Sequence, residues 1–181
     1  MINKSKGNMY KFITNTWNPI KGKCLHDCTY CYMKSFPQYS KPLFIESEMT
    51  TPLNGKSIFI GSSTDVFANN IASEWIDKIL NHCMEEYDKG NCQAFLLQSK
   101  NPKRFLEFIN HPIMKRCVLC TTIETNRFYP DFMCNAPKIE ERVQAMEEIA
   151  KQGKATMVTA EPLMQFDLET MLEYIKRCQP K

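Results

Sequence analysis

Cys24, Cys28 and Cys31 stand in the order Cys-x3-Cys-x2-Cys. Three thiolates spaced so closely can converge on one small centre. Cysteine thiolates hold iron–sulfur clusters, and a [4Fe–4S] cube has four irons that need ligands. Three local cysteines therefore leave one iron open to a substrate or cofactor, by the logic that separates catalytic from structural zinc. Two other readings stand beside this one. A structural zinc would want a fourth ligand, and no further Cys or His pair follows at zinc-finger spacing; His26, between the cysteines, is poorly placed to reach the same ion. A chance grouping with no metal is the remaining alternative. Cys117 and Cys120 are also Cys-x2-Cys, but strand alternation within their apolar run puts them on opposite faces as core thiols.

The 181-residue chain carries nine cysteines. Its N-terminus lacks the apolar stretch of a signal peptide, which predicts a cytoplasmic protein. In that reducing compartment an odd nine cysteines do not read as a disulfide framework. Cys83, Cys92, Cys117, Cys120, Cys134 and Cys178 default to buried or incidental thiols. Hydrophobic residues make up 43% and charged residues 24%, an ordinary globular balance that argues against disorder. The length suits one domain over residues 1–181. No apolar run is long enough to span a bilayer. The net charge of +3 is too small by itself to imply a membrane or nucleic-acid partner.

The elements that must position the cysteines follow a repeating order of apolar run, polar cluster and amphipathic helix. Ser57-Ile58-Phe59-Ile60-Gly61 predicts a strand that stops at Ser62-Ser63-Thr64-Asp65. Ile71, Trp75, Ile79, Cys83 and Tyr87 then line one helix face, ended near Gly90. Ala94 to Leu97 is a second strand, and Asn101-Pro102 predicts a helix start carrying Phe105, Leu106 and Ile109. Cys117 to Ile123 is a third, followed after a Pro130 and Pro137 loop by a helix with Ile139, Val143, Met146 and Ile149. Ala155 to Ala160 is a fourth, and Asp167 is placed to cap a last helix with Leu168, Met171, Leu172 and Ile175. An earlier strand is expected around residues 10–14. Apolar runs without strict alternation fit a parallel sheet covered by helices. About five to six βα units predict an α/β fold, a partial, open (βα)n barrel; a closed eight-stranded one needs roughly 250 residues. The chain stops after a helix, where another strand would be expected, so a C-terminally truncated barrel is anticipated.

With Tyr30 just ahead of its third cysteine, the cysteine segment resembles the radical S-adenosylmethionine (radical SAM) signature. Thr16-Trp17-Asn18-Pro19-Ile20 and Cys31-Tyr32 resemble a phage- and bacteria-associated radical SAM-like family of largely uncharacterised function. Similar matches are Phe59 to Phe67 with Glu74-Trp75-Ile76, Leu97 to Pro102, Thr121-Thr122-Ile123-Glu124, and Ala160-Glu161-Pro162-Leu163. They cover nearly the whole chain in order. More distantly, residues 24–32 resemble those of spore photoproduct lyase, a DNA-repair enzyme of the superfamily. Many radical SAM enzymes carry Gly-Gly-Glu where this chain has Ser62-Ser63-Thr64-Asp65, and relatives have Leu-Thr-Lys-Arg-Pro where it has Leu97-Gln98-Ser99-Lys100-Asn101-Pro102.

The resemblance implies a [4Fe–4S] cluster on Cys24, Cys28 and Cys31, in a loop spanning about residues 22–36. It implies S-adenosylmethionine on the open iron, an electron donor such as flavodoxin or ferredoxin, and a substrate that the sequence does not identify. The functional face is the C-terminal ends of the strands. There Ser62, Ser63 and Asp65 would receive the methionyl ammonium, and Lys100 or Arg127 its carboxylate. Glu124 would bind the ribose hydroxyls, Glu161 would orient adenosine or substrate, and Tyr30 would offer backbone contacts to adenine. Plainer roles compete: Asp65 as a helix cap, Lys100 and Arg127 as solvated charges, Glu161 as the partner of a lysine. Trp75 and the methionines read as core, and His82 and His111 carry no motif. The basic pairs Lys103-Arg104 and Lys115-Arg116 are too small to indicate nucleic acid. Alternative functions are a non-catalytic iron–sulfur or zinc-binding partner of the same fold, and a DNA-repair lyase.

Overall fold

A computed structural model of the protein describes residues 1–5 and 10–181; residues 6–9, in the polar N-terminal stretch, lie outside the described residues. The elements are β1 (Ile2–Lys4), β2 (Asn15–Trp17), β3 (Ile20–Lys21), β4 (Leu43–Phe44), β5 (Gly55–Ile60), α1 (Ser73–Asp88), β6 (Cys92–Gln98), β7 (Cys117–Thr122), α2 (Pro130–Met133), α3 (Ile139–Lys151), β8 (Ala155–Thr159) and α4 (Leu168–Cys178). Six strands form one sheet in the order β1-β2-β5-β6-β7-β8. From β2 to β8 every pairing is parallel, and β1 adds an antiparallel edge. The small ribbon of β3 and β4 stands apart. Among the described residues no helix is long and apolar enough to cross a membrane.

Successive strand residues point to opposite faces, so each apolar run serves two cores. Ile58, Ile60, Phe95, Leu97 and Leu119 pack with α1, α3 and α4 in the main core, which includes Ile76, Ile79, Val143, Met146 and Met171. Phe59, Leu96 and Cys120, one position out of phase, form a smaller cluster with Ile13 and the half-buried Tyr10. Cys117 belongs to the first core and Cys120 to the second, as alternation requires. With the helix residues gathered in the first core, the second face is covered by the stretch ahead of β2. At its C-terminal end this face turns polar. Gln98 Nε2 donates to Thr122 Oγ1 (3.2 Å) and Thr159 Oγ1 (3.3 Å), and Gln98 Oε1 accepts from Tyr10 (3.0 Å).

The expected strand at residues 10–14 falls instead at β2, because the antiparallel β1 and parallel β5 both pair with Asn15–Trp17. Two 3-10 turns, Pro102–Phe108 and Pro112–Arg116, replace the helix expected after Asn101. Asn101 does not cap it: its amide donates to Phe67 O (3.1 Å) and Asn69 Oδ1 (2.8 Å). Asp167 occupies the cap position of α4, yet its carboxylate serves Arg127 and Asn126. Leu168 and Leu172, assigned to the buried stripe of α4, are exposed, and Met171 carries that contact. His82 is buried with Nε2 2.8 Å from Thr51 O, and Trp75 stacks on Phe44.

Glu86 near the end of α1 is buried and accepts from Leu53 N (2.8 Å), Asn91 Nδ2 (2.8 Å) and Lys89 Nζ (2.8 Å). Burial opposes its charge, but these donors outweigh it and hold the carboxyl down to about 2. An unfolded glutamate titrates near ~4.3, so the ionised side chain stabilises the fold above that pH and the contribution fades as pH falls toward the folded value. Glu86→Gln is therefore expected to lower the urea midpoint at pH 7 with unchanged m-value, and the deficit should narrow at pH 3. A deficit that stays constant across that range would contradict the assignment.

Candidate functional site

The loop between β3 and β4 carries the three cysteines, and its entry is set by backbone geometry. Gly22 has φ +109°, and a Cβ there would meet Lys41 O at 2.2 Å, so a side chain is excluded where the loop doubles back. Thr64 Oγ1 then donates to Gly22 O (2.7 Å), tying the loop entry to the segment after β5. On its far side the loop is pinned to the stretch around α2. Asn135 N donates to His26 O (3.0 Å) and Thr29 N to Phe132 O (3.0 Å), while the Cys28 thiol lies 3.6 Å from Met133 O.

Cys24, Cys28 and Cys31 line one cavity of about 1070 Å³, open at the C-terminal ends of the parallel strands. Ser62, Ser63 and Asp65 after β5, Lys100 after β6 and Glu161 after β8 line it as well, with Tyr30 from the loop itself. Four separate stretches of sequence thus meet at one opening. All nine cysteines are free thiols, and Cys134, outside the cavity wall, is the exposed one among the other six. Burial and the Asp65 carboxylate push the Cys24 thiol up to about 12, against hydrogen bonds from the His26 and Asp65 amides. Burial raises Cys28 also, opposed by the Lys100 charge. Among the described residues, no three His, Cys, Asp or Glu side chains are gathered as ligands of a single ion. A cube asks for a wider donor set, one thiolate on each of three irons.

Two carboxylates, Asp65 at the cavity wall and Glu124 behind it, join these parts. Asp65 Oδ2 accepts from His26 Nε2 (2.8 Å), Ser99 Oγ (2.9 Å) and Lys100 N (2.9 Å), and Oδ1 accepts from Phe67 N (2.9 Å). Burial disfavours its charge, yet His26 and the other donors hold the carboxyl below the usual range. Because a carboxylate only accepts, His26 carries its proton on Nε2. Its buried Nδ1 has no partner among the described residues. Asp65 lines the cavity, where it was expected to meet a ligand ammonium, and its oxygens also accept inside the protein, clamping the cysteine loop to the ends of β5 and β6. It does not cap α1, whose cap position is Ala72.

Glu124, after β7, is fully buried behind the cavity wall. Tyr30 Oη donates to its Oε1 (2.5 Å), which also bonds Lys100 Nζ, and Arg142 Nη1 donates to Oε2 (2.8 Å). Burial raises its carboxyl, but Arg142, Lys100 and Tyr30 together hold it lowered. So enclosed, Glu124 does not line the cavity in which it was expected to meet ribose hydroxyls. Arg127 is likewise placed elsewhere: its guanidinium forks onto Asp167 at 3.0 and 2.6 Å, too engaged and too exposed to neutralise a carboxylate in the cavity. Tyr30 contributes its side chain through Glu124, beyond the backbone contact expected of it.

Ser62 and Ser63 are held by Asn18, whose Oδ1 accepts from Ser62 Oγ (3.1 Å) and Ser63 N (3.1 Å). Tyr32 Oη donates to Ser62 O (2.5 Å). Gly61, with φ +77°, makes this turn; a Cβ there would meet Val66 Cγ2 at 2.4 Å. Glu161 is exposed at the rim, 3.5 Å from Tyr10 Oη, and among the described residues no lysine pairs with it. Sequence reasoning passed over Asn18, Tyr10, Gln98, Ser99 and Arg142. For Arg142 a signal existed, because it stands three residues after Ile139 and four before Met146, on the apolar face of α3. Searches against family models, curated proteins and solved structures found no match to this chain.

Replacing Asp65 by Ala strands donors from His26, Ser99, Lys100 and Phe67. A loss of about 3 kcal/mol or more is expected from urea unfolding, since each buried donor left unpaired costs roughly 1–3 kcal/mol. Native-state hydrogen exchange should show the Lys100 and Phe67 amides losing protection first. Unchanged protection at those two amides would refute the clamp.

Proposed function

We propose that this chain is a radical S-adenosylmethionine enzyme with a partial-barrel fold. The observation that carries the reading is that Cys24, Cys28 and Cys31 line the same strand-end cavity as Ser62, Ser63, Lys100 and Glu161. Three thiols there fit a cube with one open iron better than a closed four-ligand site. When bound, a reduced cluster with S-adenosylmethionine supplies a 5′-deoxyadenosyl radical that abstracts hydrogen from a substrate.

The chain's own residues would bind, orient and seclude. Cys24, Cys28 and Cys31 hold the cluster. Lys100, on the cavity wall and bonded to Glu124, would meet a carboxylate, and the Ser62-Ser63 turn would offer hydroxyls and backbone groups to an ammonium. A reactive carbon radical needs a closed, dry surrounding. Tyr32 and Tyr39 from the cysteine loop and Phe59 from the sheet line the cavity with aromatic rings. The helix core on one face of the sheet, with Phe59, Leu96 and Cys120 on the other, supports a barrel-like curl over a doubly wound sheet, which would bury helices on both faces. A one-electron donor such as flavodoxin or ferredoxin is the implied partner, and the substrate class is open.

A second reading has one observation in its favour. Glu124 and Arg127, expected at the cofactor, are both committed to partners within the protein. That favours a non-catalytic iron–sulfur protein of the same fold. Anaerobic reconstitution separates the readings. About four irons per chain are expected, with release of 5′-deoxyadenosine when dithionite and S-adenosylmethionine are added, and Cys28→Ala should lose both. A loaded cluster that never cleaves the cofactor would move the assignment to the second reading. A colourless protein holding one zinc would end both.

A further inference from the structure

We infer that the β8 end of the cavity, formed by Tyr10, Phe59, Gln98 and Glu161, is a subsite for a protonated amine carried by the substrate. This deepens the proposed function, and it rests on that reading for the cofactor that would occupy the cysteine end. All four residues line the same opening as the cysteines. Glu161 follows β8 and the Ser62-Ser63 turn follows β5, and the order β5-β6-β7-β8 sets them three strands apart. At the ordinary strand spacing that is roughly 14 Å. The cavity, about 1070 Å³, is larger than the roughly 300–1,000 Å³ usual for a single small-molecule pocket. A ligand held beside the cysteines therefore leaves the Glu161 end to a second molecule.

Hydrogen-bond accounting gives this end its character. Tyr10 Oη donates its one proton to Gln98 Oε1 (3.0 Å). The same hydroxyl lies 3.5 Å from Glu161 Oε2, but one proton does not serve both, and Gln98 is nearer. Gln98 Nε2 donates its two protons to Thr122 Oγ1 (3.2 Å) and Thr159 Oγ1 (3.3 Å), and Thr159 Oγ1 donates to Thr122 Oγ1 (3.2 Å). With these donors used inside the layer, what remain are acceptors: the lone pairs of Tyr10 Oη, the second lone pair of Gln98 Oε1 and the Glu161 carboxylate. A surface of acceptors selects a ligand that donates. Charge points the same way. The other charged side chains on the cavity wall are answered within the protein: Lys23 and Lys34 by Asp27 at 3.1 and 3.0 Å, Asp65 by His26 (2.8 Å), and Lys100 by Glu124. Among the described residues no lysine or arginine answers Glu161. Rings complete the corner, with Phe12 stacked on Tyr10 at 5.7 Å and Phe59 at 6.3 Å from Tyr10. An ammonium gains both from an aromatic face and from a charged acceptor. A neutral alcohol lacks the charge for either, and a carboxylate is repelled by Glu161.

The test is a two-dimensional amide NMR titration of the chain, with benzylammonium as the probe and benzyl alcohol and benzoate as its neutral and anionic counterparts. Benzylammonium should bind at least about fivefold tighter than benzyl alcohol, the effect of one cation–π or exposed ion-pair contact, and benzoate weakest of the three. The shifted amides should include those of Phe59, Gln98 and Glu161. Glu161→Gln should erase the preference for the amine over the alcohol, and Glu161→Asp should retain part of it. Glu161 is exposed, so neither variant disturbs the core. Equal affinities for amine and alcohol, or a preference that survives Glu161→Gln, would overturn the inference. The titration needs no metal, so iron uptake judges the functional reading separately. A chain that takes up no iron yet prefers the amine would lose that reading and keep the amine site.

Discussion

Two carboxylates, the fully buried Glu124 and the largely enclosed Asp65, govern how this protein is put together at one end. A buried carboxylate must find donors, and the donors here come from parts of the chain far apart in sequence. Asp65 draws on His26 in the cysteine loop and on Ser99 and Lys100 after β6. Glu124 draws on Tyr30, Lys100 and Arg142. Lys100 serves both, by its amide to one and its ammonium to the other. The cysteine loop has only a short 3-10 turn of its own, so these bonds replace the secondary structure it lacks.

The sheet makes this possible by bringing the ends of β5, β6, β7 and β8 side by side in parallel register. Polar residues placed just after apolar runs then share one rim, even when tens of residues separate them. Beneath the rim, Gln98, Thr122 and Thr159 form a hydrogen-bonded floor, and below that Phe59, Leu96 and Cys120 close the interior. On the proposed reading this layering is functional: apolar packing holds the scaffold still, and the polar layer meets a cofactor from below.

Charge is handled differently on the two sides of the cavity. Near the cysteines every carboxylate is matched by cations or amides inside the protein. At the Glu161 side the carboxylate stands exposed at the rim. The contrast separates the half of the site that holds its own parts in place from the half that faces outward.

Much of the fold was legible in the residues themselves. Short apolar runs ended by polar clusters and helix periodicity located β5 to β8, α1, α3 and α4 to within a few residues, because both patterns follow from local geometry. The cysteine spacing was equally plain, since it needs only one short segment. The errors fell where the outcome depended on distant partners. Asn101 and Asp167 looked like helix caps, but tertiary donors and acceptors claimed their side chains. Glu124 and Arg127 looked like ligand contacts from their strand-end positions; burial by Tyr30 and capture by Asp167 decided otherwise. Strand ends tell which residues arrive at the rim. Which of them face the cavity and which are used up in holding it together depends on competition among buried charges, and that competition exists only once the chain is folded.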